Sequence, residues 1–393
     1  MEINKIREDF PLLKHCVYLD AASTTPTPKC VVQAMNEYFY TYNTNVGRGV
    51  YSLAVKATEK VEEVRKRLGD FINSPPENIV FTKNTTEAIN LVANGLKFKK
   101  GDTIIVPNIE HHSNFLPWLR LRKEGVNVKI IKAEKNSIVD PSVIEDKIDE
   151  NTKLITVSYI SNVLGVVQDI EEIGKIAKDN DILYMVDAAQ AIGHIKVDVK
   201  KINADFVAFP GHKGLLGPVG TGFLYSKLLH KLEPFNIGGG TVIDVSENKY
   251  KLEKPPARFE AGTLNIAGII GLGSAVSYLE SIGIKKIEKY CMELTEEMYS
   301  KLSEIDKVIC YGDIENIHGI VSFNVKGKDP NKVARLLDKK SKICVRSGHH
   351  CAIPLIKHIG AKKYGGTVRA SVHCYNNFMD IEKLINTIKE VSV

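Results

Sequence analysis

The chain has little of what marks a secreted, membrane-bound or metal-stapled protein. Its opening residues, Met1-Glu2-Ile3-Asn4-Lys5-Ile6-Arg7-Glu8-Asp9, carry no apolar run of the signal-peptide kind. The most apolar later stretch, Ile266 to Val276, is short and is interrupted by Gly268, Gly271, Gly273 and Ser274, so a core helix is expected there rather than a membrane span. Seven cysteines form an odd, dispersed set without a C-x-x-C pair, which argues against a disulfide framework and against a structural zinc site. A reducing, cytoplasmic setting is the expectation. Charge of one sign is scarce as well. The net charge is +6 over 393 residues, and the densest basic run, Lys339-Lys340-Ser341-Lys342, is short. That pattern predicts a solvated surface and no nucleic-acid footprint. Internal repeats, low-complexity tracts and long flexible linkers are also missing.

What is present fits a folded globular chain. Hydrophobic and charged residues make up 44% and 25%, and the length suffices for two to three domains with a well-buried core. From about residue 55 to 226, helical and strand patterns alternate. Ala57, Val61, Val64, Leu68 and Phe71 recur at helical spacing and are closed by Pro75-Pro76. Short buried strands are predicted at Ile79 to Thr82, Thr103 to Val106, Val126 to Ile131, Leu154 to Tyr159, Leu183 to Val186 and Phe206 to Phe209, with helices such as Ile170 to Asp179 between them. Such alternation implies an α/β fold with a parallel sheet covered on both faces, and ligands bind outside the carboxyl ends of its strands. After Pro255-Pro256 the pattern changes to a smaller α+β region. It has two long helical stretches between Ile266 and Ile305, strands near His318 to Val325, Ile343 to Val345 and Thr367 to Val372, and helices at Asn331 to Lys339 and from Asp380.

Several segments carry chemistry. Asn84-Thr85-Thr86-Glu87 opens a helix after a strand, with Asn84 as N-cap and Glu87 as its partner. Free N–H groups and the hydroxyls of Thr85 and Thr86 make it a phosphate site in principle, although taken alone plain capping is the favoured reading. Asp187, at the end of a buried strand, suits either a capping acid or the partner of a pyridinium nitrogen. Lys213 stands in the glycine-rich turn Gly211-His212-Lys213-Gly214, where partial desolvation makes a lysine a usable nucleophile and base. In Glu110-His111-His112-Ser113-Asn114, a single imidazole lying on an aromatic cofactor is a sharper reading than a two-histidine metal site. Cys351 follows Val345-Arg346-Ser347-Gly348-His349-His350, a polar loop unlike a core position. Arg346, His349 and His350 offer positive potential to its thiol. The other cysteines sit in apolar or helical patterns, and Cys374 is read as structural.

In order, Asn84 to Val92, Glu110 to Asn114, Ser161-Asn162-Val163-Leu164-Gly165, Asp187-Ala188-Ala189-Gln190, Gly211-His212-Lys213, Arg258-Phe259-Glu260-Ala261-Gly262-Thr263 and Arg346 to Cys351 resemble class V, fold-type I enzymes dependent on pyridoxal 5'-phosphate (PLP). The resemblance runs from Tyr18 to Ser371. Within that class it is to group II cysteine desulfurases of the SufS/CsdA, NifS-like kind, a group that also contains selenocysteine lyases. It implies a PLP-binding large domain over 21–262 and a small domain made of 1–20 plus 263–393. Lys213, Cys351 and His111 would be the catalytic set, with Lys213 holding PLP and moving protons, His111 stacked on the ring, and Cys351 the nucleophile. Asp187 would pair with the pyridine nitrogen and Gln190 with the ring hydroxyl. Thr85, Thr86 and His212 would hold the phosphate, joined by Thr263 from the neighbouring subunit of a homodimer. Asn162 and Arg369 would bind the substrate carboxylate, with Arg346 and Tyr51 on the substrate side.

The implied reaction converts L-cysteine to L-alanine and leaves a persulfide on Cys351. A small acceptor protein of the SufE or SufU type would then carry the sulfur, for example toward iron–sulfur cluster assembly. Rival readings are a selenocysteine lyase, a β-eliminating cysteine or cystine lyase, and a PLP-binding scaffold without turnover. Two departures from the SufS pattern stand out: Pro210 replaces a serine that helps bind phosphate, and Tyr51 stands where a histidine is common.

Overall fold

A computed structural model describes residues 1–393. Its centre is a seven-stranded sheet of β1 (Ile79–Thr82), β2 (Thr103–Pro107), β3 (Asn127–Ile131), β4 (Thr152–Ser158), β5 (Leu183–Asp187), β6 (Phe206–Pro210) and β7 (Gly222–Ser226), in the order β1-β7-β6-β5-β4-β2-β3. All neighbouring pairs are parallel except those made by β7, which runs against both β1 and β6. β7 is the strand that the alternation rule does not provide. The link from β6 is too short for a crossover helix, and a short link between adjacent strands forces an antiparallel pair. Every parallel strand therefore ends on one side, and the residues following β1, β2, β4, β5 and β6 meet there.

The continuous apolar strands are buried on both sheet faces, as a sheet covered by helices requires. The helix Ile266–Ile282 is apolar nearly all round and largely buried. It packs on the helices Lys29–Thr41 and Ser52–Ile72, and a side chain at Gly271 or Gly273 would run into Met35 and Pro218 or into Val64. No single helix is long and apolar enough to cross a membrane.

A second, antiparallel sheet holds β8 (Val308–Tyr311), β9 (Ile320–Val325), β10 (Arg346–Gly348) and β11 (Thr367–Ser371), in the order β8-β9-β11-β10. Helices Ile284–Ser303 and Pro330–Ser341 pack on it, and Phe378–Ser392 packs on those two helices. The region before β1 contributes a two-residue strand, Val17–Tyr18, that pairs in parallel with Ile343–Cys344. The sheets lie against each other through a bridge from Val166 to Ile317 and the hydrogen bond from Ser322 Oγ to Val163 O.

Candidate active site

The carboxyl ends of the parallel strands border a cavity of about 250 Å³. Lys213 reaches it from the turn after β6. That turn is closed by Leu216 N to Lys213 O and Gly217 N to Gly211 O, both 2.8 Å. Thr25 Oγ1 donates to Lys213 O at 2.8 Å and Thr24 Oγ1 to His212 O at 3.0 Å, so the lysine's backbone is anchored from the N-terminal segment as well. Gly211 is required here because a side chain would occupy the space of Thr221 Oγ1. Burial pushes the Lys213 ammonium down to about 8, with Arg369 and Arg346 adding to the effect and Asp187 opposing it.

Asp187 ends β5 and is 4% exposed. Its Oδ1 accepts from Ala189 N at 2.9 Å, and burial raises its pKa above the ordinary carboxylate value. Gln190 donates from Nε2 to Ala22 O at 2.9 Å. At the end of β1, Asn84 Oδ1 caps the helix Thr85–Gly95 by accepting from Glu87 N at 2.9 Å. The Glu87 carboxylate reaches back one residue further than expected, to Lys83 N at 2.6 Å. Thr86 Oγ1 lies 2.7 Å from Ser113 Oγ.

His111 is fixed by the segment after β2. Its Nδ1 accepts from Ser113 N at 3.1 Å, which leaves Nε2 as the protonated nitrogen of the neutral ring. Burial, with Lys213 next, pushes its pKa down to about 3. The preceding Glu110 is fully buried and accepts from Asn114 Nδ2 at 2.7 Å and from Ser158 N at 2.8 Å, tying the segment to β4. Desolvation raises Glu110 to about 8.

The second sheet supplies the guanidinium groups. Arg369, on β11, donates from Nη1 to Asn162 O at 2.7 Å and from Nη2 to Ser23 Oγ at 2.8 Å and Asp20 Oδ1 at 3.2 Å. Burial lowers its pKa to about 10 and Asp20 opposes, so it stays charged at neutral pH. Arg346, on β10, donates from Nη2 to Cys351 Sγ at 3.5 Å. His350 does not join it as a second cation. Its Nε2 is held by Thr367 Oγ1 and Thr367 O, and burial pushes it down to about 2, so the ring is neutral. The expectation of positive potential at Cys351 is thus met by Arg346 and not by His350. Burial pushes Cys310 up to about 12 and holds Cys291 and Cys374 well above the ordinary thiol value.

Thr85, Thr86, His111, Asn162, Asp187, Gln190, His212, Lys213, Arg346 and Arg369 thus surround one space, with Cys351 beside Arg346. Two expected residues are elsewhere in the single chain. Thr263 lines a separate depression of about 740 Å³ with Phe81, Gly220 and Asn265. Tyr51 is the residue before the helix Ser52–Ile72 and is 55% exposed. Ser23, Asp20 and Ser113 join the site without having been anticipated. Ser23 lies near the start of the resemblance at Tyr18, but nothing local links it to arginines more than 300 residues away.

The aminotransferase class-V family matches residues 17–384. The chain belongs to that family. A probable cysteine desulfurase of Methanothermobacter thermautotrophicus is 59% identical over 394 residues, covering all of this chain and 98% of that one. Among solved structures, the apo cysteine desulfurase of Thermococcus onnurineus NA1 superposes with a TM-score of 0.95 at 47% identity, over 99% of this chain and 98% of that one. The S-sulfonic acid form of the cysteine desulfurase CsdA of Escherichia coli gives 0.92 at 31% identity, with the same coverage.

As in other class-V members, the fold is that of a PLP enzyme, and the cavity has the chemistry for such a ligand. Four of its buried polar atoms have no partner within the protein: Thr85 Oγ1, His212 Nδ1, Asn162 Oδ1 and Arg369 Nε. Buried groups of this kind carry a cost unless something satisfies them. Thr85 Oγ1 and Arg369 Nε can each donate to an anionic ligand, as can His212 Nδ1 when it carries the ring proton, whereas Asn162 Oδ1 can only accept. Pro210, ending β6, lines the same space without offering a hydroxyl or an N–H.

Proposed function

We propose that this protein is a cysteine desulfurase that binds PLP in the Lys213 cavity, converts L-cysteine to L-alanine, and receives the sulfur on Cys351. The observation that carries the reading is the meeting of a lysine pushed down to about 8 and a buried aspartate at one cavity, with a thiol held against Arg346 of its lining. The cysteine desulfurase relatives support it over a lyase that releases selenium or sulfide.

Bound PLP supplies an electron sink for the charge left when the α-proton departs. Thr85, Thr86 and His212 hold its phosphate, and Asp187 sits where its carboxylate offsets the positive ring nitrogen. Gln190 faces the ring hydroxyl, and neutral His111 covers the ring. Lys213 anchors the cofactor and then, as a free amine, takes the α-proton and returns it. Arg369 and Asn162 hold the substrate carboxylate, a planar group suited to a guanidinium. The Cys351 thiolate attacks the substrate sulfur, the carbon–sulfur bond breaks, and the electron pair left on carbon is protonated to give alanine. A persulfide remains on Cys351.

Residues 21–262 form the cofactor-holding part, and 1–20 plus 263–393 the part that carries the cysteine loop. We place Thr263 in the cavity of the opposite subunit of a homodimer, and assign collection of the persulfide sulfur to a small acceptor protein. The test is alanine formation from L-cysteine by the PLP-loaded protein. Alanine must appear with wild type and collapse with Cys351→Ala, and equal alanine from both would overturn the proposal.

A further inference from the structure

The backbone around Cys351 is held in a conformation that residues with side chains avoid. His350 and Cys351 are successive left-handed residues, with φ of 51° and 58°, following Gly348 at 103°. Left-handed backbone at non-glycine residues persists only where surrounding contacts over-determine it. Asn162 Nδ2 grips His350 O at 2.8 Å, and the His350 ring is pinned on Thr367. Ala352 N closes the turn on His349 O at 2.9 Å, and two further bonds come from one residue outside it. His112 N donates to Cys351 O at 2.7 Å, and His112 Nε2 accepts from Ile353 N at 3.2 Å. Ile353 opens the short helix that follows the cysteine turn.

We propose that His112 is a positioning residue for the Cys351 thiol, clasping the turn on both sides of the nucleophile. Its main chain holds Cys351 itself, and its ring holds the N–H two residues later. Swinging the Cys351 backbone away from the cavity requires both bonds to yield. His112 also follows His111 directly, so the clasp joins the cysteine turn to the segment that places a ring in the cavity. Only a neutral ring can accept from Ile353 N, and burial, with His349 next, pushes the His112 pKa down. A plain helix cap would hold Ile353 N alone; the second bond, to the nucleophilic residue, sets His112 apart from one.

The inference rests on the desulfurase reading and is tested in the PLP-loaded protein with wild type, His112→Phe and His112→Gln. Phenylalanine keeps the volume and removes the acceptor, whereas the Gln Oε1 reaches about as far as the lost Nε2. In His112→Phe, kcat for alanine formation falls about tenfold, the scale of one lost hydrogen bond, while KM for L-cysteine stays within about twofold. Amide exchange at Ile353 accelerates in that variant, and His112→Gln restores both exchange and kcat. A wild-type kcat in His112→Phe despite accelerated exchange would overturn the proposal, and so would kcat and KM failing together with a general loss of exchange protection. If wild type forms alanine but no persulfide on Cys351, the desulfurase reading itself fails, a result distinguishable from either.

Discussion

Arg346 Nη2 lies 3.5 Å from Cys351 Sγ, while the other terminal nitrogen of the same guanidinium reaches Ser23 Oγ at 3.2 Å. Ser23 Oγ also accepts from Arg369 Nη2, and Arg346 and Arg369 stand opposite each other on β10 and β11. The two arginines are therefore built on adjacent strands and linked through one hydroxyl, with the thiol in the turn that follows β10. A shift at either is felt by the other.

Removing the contact to sulfur should weaken the nucleophile while the residues assigned to hold the cofactor stay in place. Arg346→Ala is expected to slow alkylation of Cys351 by iodoacetamide at pH 7 about three- to tenfold, as loss of an adjacent cation does for reactive cysteines. PLP absorbance should be retained. An unchanged alkylation rate would mean that the contact is incidental.

Lys213 sets a pH dependence with a definite sign. Below about 8 its amine is protonated and unreactive, and above it the amine is free. The rate at which PLP attaches to cofactor-free protein should rise as pH increases through about 8 and level off beyond, with no attachment in Lys213→Ala. Stopped-flow absorbance reads this directly, and a midpoint near 10 would show that burial does not depress the group.

His111 should be silent in the activity profile. With its pKa pushed down to about 3, it carries no charge change between pH 5 and 9. His111→Phe is expected to keep every inflection of the kcat/KM profile in that range and to retain PLP far better than His111→Ala. Loss of an inflection in the Phe variant would assign it a proton.

Away from the cavity, Arg65 and Glu260 form a buried two-pronged ion pair, at 2.7 and 2.9 Å, and Glu260 Oε1 also accepts from Phe81 N in β1. Glu260→Ala leaves the buried guanidinium with only the exposed Glu62 carboxylate as an ionic partner and should destabilise the protein by up to about 3–5 kcal/mol in urea unfolding. Glu63→Ala, which breaks an exposed pair with Lys60, should cost less than about 1 kcal/mol. Equal losses would contradict the burial argument.

The large sheet was legible because its strands are short apolar runs separated by helical periods, and the pattern carries both element type and direction. β7 was not, since antiparallel pairing depends on the length of the preceding link rather than on the strand itself. β8 was missed although Val308-Ile309-Cys310-Tyr311 is an apolar run; it is short, and its residues after Val308 are only partly buried. At the site, the lysine, aspartate and cysteine motifs lie at strand ends and turns that sequence can mark. Their supports cannot be marked in this way. Ser23 meets Arg369 across 346 residues of chain, and the histidine beside Cys351 turned inward to Thr367 because β10 and β11 pair there. Left-handed backbone at Cys351 is likewise set by tertiary bonds, with no glycine at that position to announce it.

The most direct measurement is mass spectrometry of the PLP-loaded protein after reaction with L-cysteine, paired with quantitation of alanine and pyruvate, for wild type and Cys351→Ala. The expected result is alanine from wild type together with one added sulfur atom on the Cys351 peptide, and neither in the variant. Pyruvate in place of alanine, or alanine formed equally well without Cys351, would contradict sulfur transfer through this thiol.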